Sequence, residues 1–292
     1  MFDLKSAVPE LIRRDIEWGE NNLPEIPREM PEVVAADPSW KRRWLSAREF
    51  ALERRAPRIE EWNADRRRRY GRLLASSGWG ELRRIVLSCN YAAARYEMPA
   101  SWRACLIKQA YEDMQHAASF ITRGCRYAEA DYWSGFDARA THLSPAAARM
   151  LERDLGGFFA VVGLHTEAYP AEDGGYFNFI LAIDPVLARW STHEIEQEAG
   201  HLSFLFPAMR EYFNSGTPAE CDAKKRQLVA DNEELIGTML RDDHAAMERF
   251  LIERLGLERD AFAWPANIPE RTRHIYHLIG IEQSYWPEHL RG

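Results

Sequence analysis

The stretch Leu106-Ile-Lys-Gln-Ala-Tyr-Glu-Asp-Met-Gln-His-Ala-Ala-Ser-Phe120 sets the character of the chain. Leu106, Ala110, Asp113, Ala117 and Phe120 recur at steps of three and four, the period of one helical face. An apolar stripe of that kind turns toward a core, so the spacing puts Asp113 on a buried side. His116 follows one turn later, and the two side chains can reach a single ion. A buried carboxylate is costly unless it is paired, protonated or bound to a metal.

The same arrangement returns in Glu198-Ala-Gly-His201, where Leu187, Glu194, Glu198, His201, Leu205 and Ala208 follow one side of another long helix. One acid-x-x-His spacing arises often by chance, as the scatter of Asp243 and Glu233 about His244 illustrates. Two of them on inward faces, with a further long helix between, leave two readings: a metal site, or a buried polar network.

Working outward, the spacing of apolar residues is three and four almost everywhere, which predicts an all-α chain. Expected helices run at about 40–56, 58–76, 81–97, 101–129, 145–168, 185–212, 218–255 and 270–285. Ser39, Ser101 and Ser144 are expected to cap helix starts, with Pro145 at the first position after Ser144. Asp184-Pro185 repeats that pattern, and Thr217-Pro-Ala-Glu220 is a capping box. Breaks are expected at Gly78–Gly80, Met98-Pro99, 132–141, 170–175, 214–217 and 264–269. Gly156-Gly157 reads as a close helix contact, Gly174-Gly175 as a loop hinge. Residues 1–37, rich in proline, read as an arm with a short helical piece near Leu11–Trp18, and 38–292 as a single helical domain.

The bulk numbers exclude several classes. Over 292 residues the apolar fraction is 46% and the charged fraction 28%, which fits a folded globular chain. No apolar run approaches the roughly 20 residues of a membrane helix, so no membrane partner is expected. A net charge of -7 argues against a nucleic-acid binder. The run Arg66-Arg-Arg-Arg69 reads as a solvated or subunit-facing helix surface. Met1-Phe-Asp-Leu-Lys5 has no hydrophobic signal core, and the expected location is cytoplasmic. Cys89, Cys105, Cys125 and Cys221 lie far apart, which points to reduced thiols.

A two-iron carboxylate bundle takes one Glu from each of two helices and an acid-x-x-His from each of two others. Asp113, His116, Glu198 and His201 meet the second requirement, and Glu167, 31 residues before Glu198 (198 − 167), offers one of the two single acids. His165 could be a ligand, a donor behind one, or a plain polar residue. The helix before Asp113 does not offer the last acid cleanly: Asn90 is a poor iron ligand, Glu81 falls at the expected helix start and Glu97 at its end. Glu194, one turn before Glu198, is a substitute or a supporting acid. Glu112 and Glu194 could orient the histidines.

At these residues the chain resembles the bacterial multicomponent monooxygenases, the methane/phenol/toluene hydroxylase superfamily. The acid-His pairs are similar to the motifs of its iron-binding α subunits. The segments Tyr91–Ser101, Gln109–Asp113, Gly135-Phe-Asp-Ala-Arg139 and Leu151–Val162 look, in order and spacing, more like its β subunits. The likeness covers about 80–210. It implies a ferritin-like, ribonucleotide reductase-like helix bundle with extra helices, and a dinuclear iron site (or manganese, which takes the same donors) that uses O2 as co-substrate to oxidise a small organic molecule. It also implies a partner hydroxylase subunit, a reductase and a small regulatory protein, in a homo- or hetero-oligomer. Phe158, Phe159, Phe177, Phe179, Phe204 and Phe206 would then line a substrate pocket or form ordinary core. The alternative is a metal-free β-like structural subunit, which the Pro-rich arm and the abundant Trp and Arg would suit.

Overall fold

A computed structural model of the chain describes residues 25–53, 58–133, 143–169, 181–238, 252–253 and 268–291. Every regular element among the described residues is helical. After α1 (Glu32–Ala35) and α2 (Pro38–Glu53) comes α3, which is α-helical over Ala64–Glu81, makes a π turn over Leu82–Val86 and resumes as Leu87–Arg95. α4 spans Ala100–Ala128, α5 Pro145–Arg153, and α6 joins Leu155–Phe158 to a π segment, Phe159–Ala168. α7 (Pro185–Phe213), α8 (Pro218–Thr238) and α9 (Ile268–Ile279) follow, then two short 3-10 turns.

Four of these helices make a ring. α3 packs along α4, α4 against α7, α7 against α6, and α6 back against α3. α1, α2 and α9 cover the outside of α7, and α8 covers α6. The shell is buried in the chain's own core: Trp40 and Trp44 of α2 are each 2% exposed, so these two tryptophans are already covered.

The expected break at Gly78–Gly80 is overturned: residues 64–95 form one uninterrupted helix, and the expected helices 58–76 and 81–97 are a single element. The glycines serve close packing instead. A Cβ on Gly78 would stand 2.4 Å from the carbonyl oxygen of Ala117, and one on Gly71 2.5 Å from that of Gly124. α3 and α4 touch backbone to backbone there, which only a residue without a side chain permits. Gly157 serves the same end, since a Cβ there would fall 1.8 Å from Met150 O.

Capping follows the sequence at three of five starts. Ser144 Oγ accepts from Ala147 N at 3.1 Å, Asp184 Oδ1 from the amides of Val186 and Leu187 at 3.1 Å each, and Thr217 with Glu220 closes the capping box. Two differ. Asp37, not Ser39, accepts at the start of α2 through Ser39 N (2.9 Å), and α4 begins at Ala100 behind Pro99. The stretch 145–168 is also divided, because Asp154 adopts an extended conformation and caps α6 through Gly157 N at 2.7 Å. The predicted end of α8 beyond Thr238, the helical piece near Leu11–Trp18, Gly174-Gly175, Phe177 and Phe179 lie outside the described residues.

Buried ion pairs fix the frame. Arg123 of α4 grips Asp184 at the head of α7 through two bonds, Nε to Oδ2 at 2.6 Å and Nη2 to Oδ1 at 2.8 Å. Arg271 of α9 donates twice to Ala168 O, at 3.1 and 3.0 Å, and once to Asp37 Oδ2 at 2.8 Å. α9 thereby holds the end of the α6 π segment that carries Glu167. None of the helices among the described residues is long and apolar enough to cross a membrane.

Candidate metal centre

Three helices of the ring turn acids inward toward one another. α4 supplies Asp113 and His116, both fully buried, α7 supplies Glu194, Glu198 and His201, and α6 supplies Glu167 at 1% exposure. One donor atom each from Asp113, Glu167, Glu198 and His201 lies within 4.8 Å of the others, and the same holds for His116, Glu194 and Glu198. Glu198 belongs to both groups, so the two meet at one carboxylate. His116 Nδ1 stands 3.1 Å from Glu198 Oε1 and 3.5 Å from Asp113 Oδ1. His201 Nδ1 stands 3.2 Å from Glu167 Oε2, 3.5 Å from Glu198 Oε2 and 3.8 Å from Asp113 Oδ1. All six residues singled out from the sequence therefore come together.

A further acid lies near them, outside both groups of donor atoms. Glu81 lies in the middle of α3, directly before its π turn, and its Oε2 is buried without a hydrogen-bond partner. Burial first, then the charges of Asp113 and Glu198, push its pKa up to about 8. This is the acid that the expected break put at the start of a helix. Asn90 and Glu97 are exposed, and Asn90 donates to Val86 O of its own helix.

Behind the cluster a hydrogen-bonded chain fixes both rings. Lys108 Nζ donates to both oxygens of Glu112 at 2.5 Å. A carboxylate between such donors accepts only, so Gln197 must turn its amide nitrogen to Glu112 Oε1 (3.4 Å) and its oxygen to His116. That oxygen accepts from His116 Nε2 at 2.8 Å, and Glu112 Oε2 accepts from His201 Nε2 at 3.1 Å. Both Nε2 atoms thus carry the proton of a donor. Both Nδ1 atoms are aimed into the acids, the orientation a metal-binding imidazole needs.

The electrostatics describe a site short of positive charge. Burial drives Asp113 and Glu167 above the usual carboxylate range, with neighbouring Glu198 adding to the rise. Burial opposes the charged imidazoles, yet Asp113 and Glu198 around His116, and Glu112 and Glu167 around His201, hold both well above the ordinary histidine value. Burial also opposes ionisation of Glu198 and Glu112, but the bonds from His116 and His201 keep the first low, and those from His201 and Lys108 bring the second down to about 2. Among the described residues, both oxygens of Asp113 and Glu167 Oε1 have no hydrogen-bond partner. Such orphaned buried acceptors cost about 1–3 kcal/mol each, more when charged.

His165 does not join. Burial and the nearby charge of Arg84 push its pKa down to about 4, and its Nδ1 lacks a hydrogen-bond partner. Phe158 and Phe159 pack against each other, and Phe159 onto Tyr212 and Phe213, as core. Phe204 and Phe206 are half-buried, and Phe206 lines a cavity of about 540 Å³ between α7, α2 and α9, on another side of α7 from the acids. Cys89 is buried near Asp113 and Glu167, its thiol held protonated first by burial and then by those charges. None of the four cysteines is joined in a disulfide.

No protein-family model, no curated protein and no solved structure matches the chain.

Proposed function

We propose that the chain is an oxygen-dependent oxidoreductase of the ferritin-like kind, holding two iron ions among Glu81, Asp113, His116, Glu167, Glu198 and His201, with Glu194 beside them. The observation that carries this reading is the orphaned set at the centre: Asp113 with neither oxygen hydrogen-bonded, Glu81 and Glu167 each with one buried oxygen unpartnered, and two imidazole Nδ1 atoms aimed at them. Four carboxylates would neutralise two divalent cations and remove the desolvation cost that the metal-free site carries. Carboxylate with imidazole suits iron or manganese, and the buried thiol of Cys89, held protonated, is no competitor.

Two irons so held would supply electrons to O2 for the oxidation of a small organic substrate. The chain's own residues do the rest. Asp113 and Glu198 each stand within 3.8 Å of both histidine Nδ1 atoms and would help to hold the ions there. Glu112 and Gln197 set the histidine rings and tautomers. Packing of α3 on α4, and of α2 and α9 on α7, excludes bulk water from the centre. The likeness to multicomponent monooxygenases adds a reductase and a regulatory protein as partners within this proposal. A metal-free scaffold, the competing reading, would keep five acids facing one another with no cation between them but the two histidines.

The test is O2 uptake by the ferrous-loaded protein in a single turnover. About one O2 consumed per chain, abolished in His116→Ala and His201→Ala, supports the oxidoreductase. Uptake no faster than free ferrous ion in the same buffer refutes it.

A further inference from the structure

We infer that the two metal positions are unlike, the one at His201 binding its ion first and more tightly than the one at His116. The inference rests on the dinuclear reading above and adds an order of filling that the ligand set alone does not give.

Its ground is the unequal support of the two rings. His201 Nε2 donates to a carboxylate, Glu112, which Lys108 holds in place. His116 Nε2 donates to a neutral amide oxygen, that of Gln197. A carboxylate behind an imidazole raises the basicity of the other nitrogen, and partners of this sort change metal affinity by about 10–100-fold. An amide orients the ring but adds little to its basicity. Four donors (Asp113, Glu167, Glu198 and the ring) gather at His201, all within 4.8 Å of one another before any ion arrives, so little rearrangement accompanies binding there; His116 forms a second such group with Glu194 and Glu198, and Asp113 Oδ1 stands 3.5 Å from its Nδ1.

Glu112 and Gln197 are positioning residues, each one step before the first acid of its acid-x-x-His pair, and each supporting the histidine of the other helix. One bond between them links the two supports, Gln197 Nε2 donating to Glu112 Oε1 at 3.4 Å. Exchanging the two residues keeps one carboxylate and one amide in the pair, and moves the carboxylate from the His201 side to the His116 side.

The experiment titrates the metal-free full chain with cobalt(II) alone, under nitrogen, by calorimetry and visible absorbance. Two phases are expected, the first tighter by ten-fold or more, lost in His201→Ala and kept in His116→Ala. Glu112→Gln weakens the first phase by about 10–100-fold. The double exchange Glu112→Gln with Gln197→Glu reverses the order, so that His116→Ala in that background removes the tight phase. A structural role alone would weaken both phases together and would not reverse them. Two indistinguishable phases in the natural chain, or an order unchanged by the exchange, overturn the inference while leaving a dinuclear site standing. Binding of fewer than two cobalt ions overturns both.

Discussion

Glu81 and Glu167 occupy matching places in two different helices. Glu81 directly precedes the π turn Leu82–Val86 of α3, and Glu167 lies in the last turn of the π segment Phe159–Ala168 of α6. Glu81 precedes Asp113 by 32 residues (113 − 81), and Glu167 precedes Glu198 by 31 (198 − 167). Each helix pair thus repeats one plan: a single acid beside a π turn, then an acid and a histidine one turn apart on the partner helix. The two π segments also touch each other across the ring. Departures from α geometry of this kind concentrate at functional sites, and here both sit at the single acids.

Replacing Glu81 separates its effect on folding from its effect on binding. Glu81→Gln removes an acid that burial holds protonated near neutrality, so the metal-free protein gains about 2–3 kcal/mol at pH 7. The same variant binds one metal ion fewer, or its second ion at least ten-fold more weakly. Urea unfolding without metal and calorimetric metal titration read the two effects, which have opposite signs.

The pH dependence of the metal-free chain follows from the same group. Its pKa is about 8 folded against 4.5 unfolded, so between those values the folded chain keeps a proton that the unfolded chain releases. Stability therefore falls as pH rises through that window. His116 and His201, held above the ordinary value, act in the same direction above pH 6.5. Metal binding displaces these protons, so the loaded protein loses the downward slope. Melting temperatures from pH 5 to 8.5, with and without metal, should diverge, the loaded form pulling ahead as pH rises.

The glycines of α3 give a paired test of packing. Gly78→Ala drives a methyl into Ala117 O and should cost at least about 2 kcal/mol. Gly80→Ala meets nothing within 4 Å and should gain about 0.5–1 kcal/mol through helix propensity. Chemical denaturation of the two single variants distinguishes a contact glycine from a helix break, which would make both substitutions alike.

The sequence made the inward acids of α4 and α7 legible because each lies on an apolar stripe of helical period. Glu167 was legible from its distance to Glu198. Glu81 was not, because a Gly-Trp-Gly run looks like a helix end when backbone contact with α4 is out of sight. The π turns were hidden for a related reason: stripes read at a fixed 3.6 period do not reveal an extra residue in a turn. Gln197 and Glu112 face each other across two helices, and only the folded ring shows which histidine each supports. Ser39 looked like a cap because a helix-forming run follows it, yet Asp37 caps α2 from before Pro38, as Asp184 caps α7 from before Pro185.

The frame around the site should be as sensitive as the site. Arg123→Ala leaves Asp184 buried at 1% exposure without its cation, at a cost of about 3–5 kcal/mol. Since Asp184 also caps α7, the helix that carries Glu198 and His201, metal affinity should fall along with the melting temperature. Loss of stability with metal affinity unchanged would show that the head of α7 does not position the ligands.

Iron content tests the central claim most directly. The full chain, loaded anaerobically with ferrous ion and freed of excess, should retain about two irons per chain by elemental analysis, as the dinuclear recipe requires. One or none should remain in His116→Ala, His201→Ala or Glu81→Gln. A natural chain that retains no iron, or whose iron is unaffected by all three substitutions, would contradict the account.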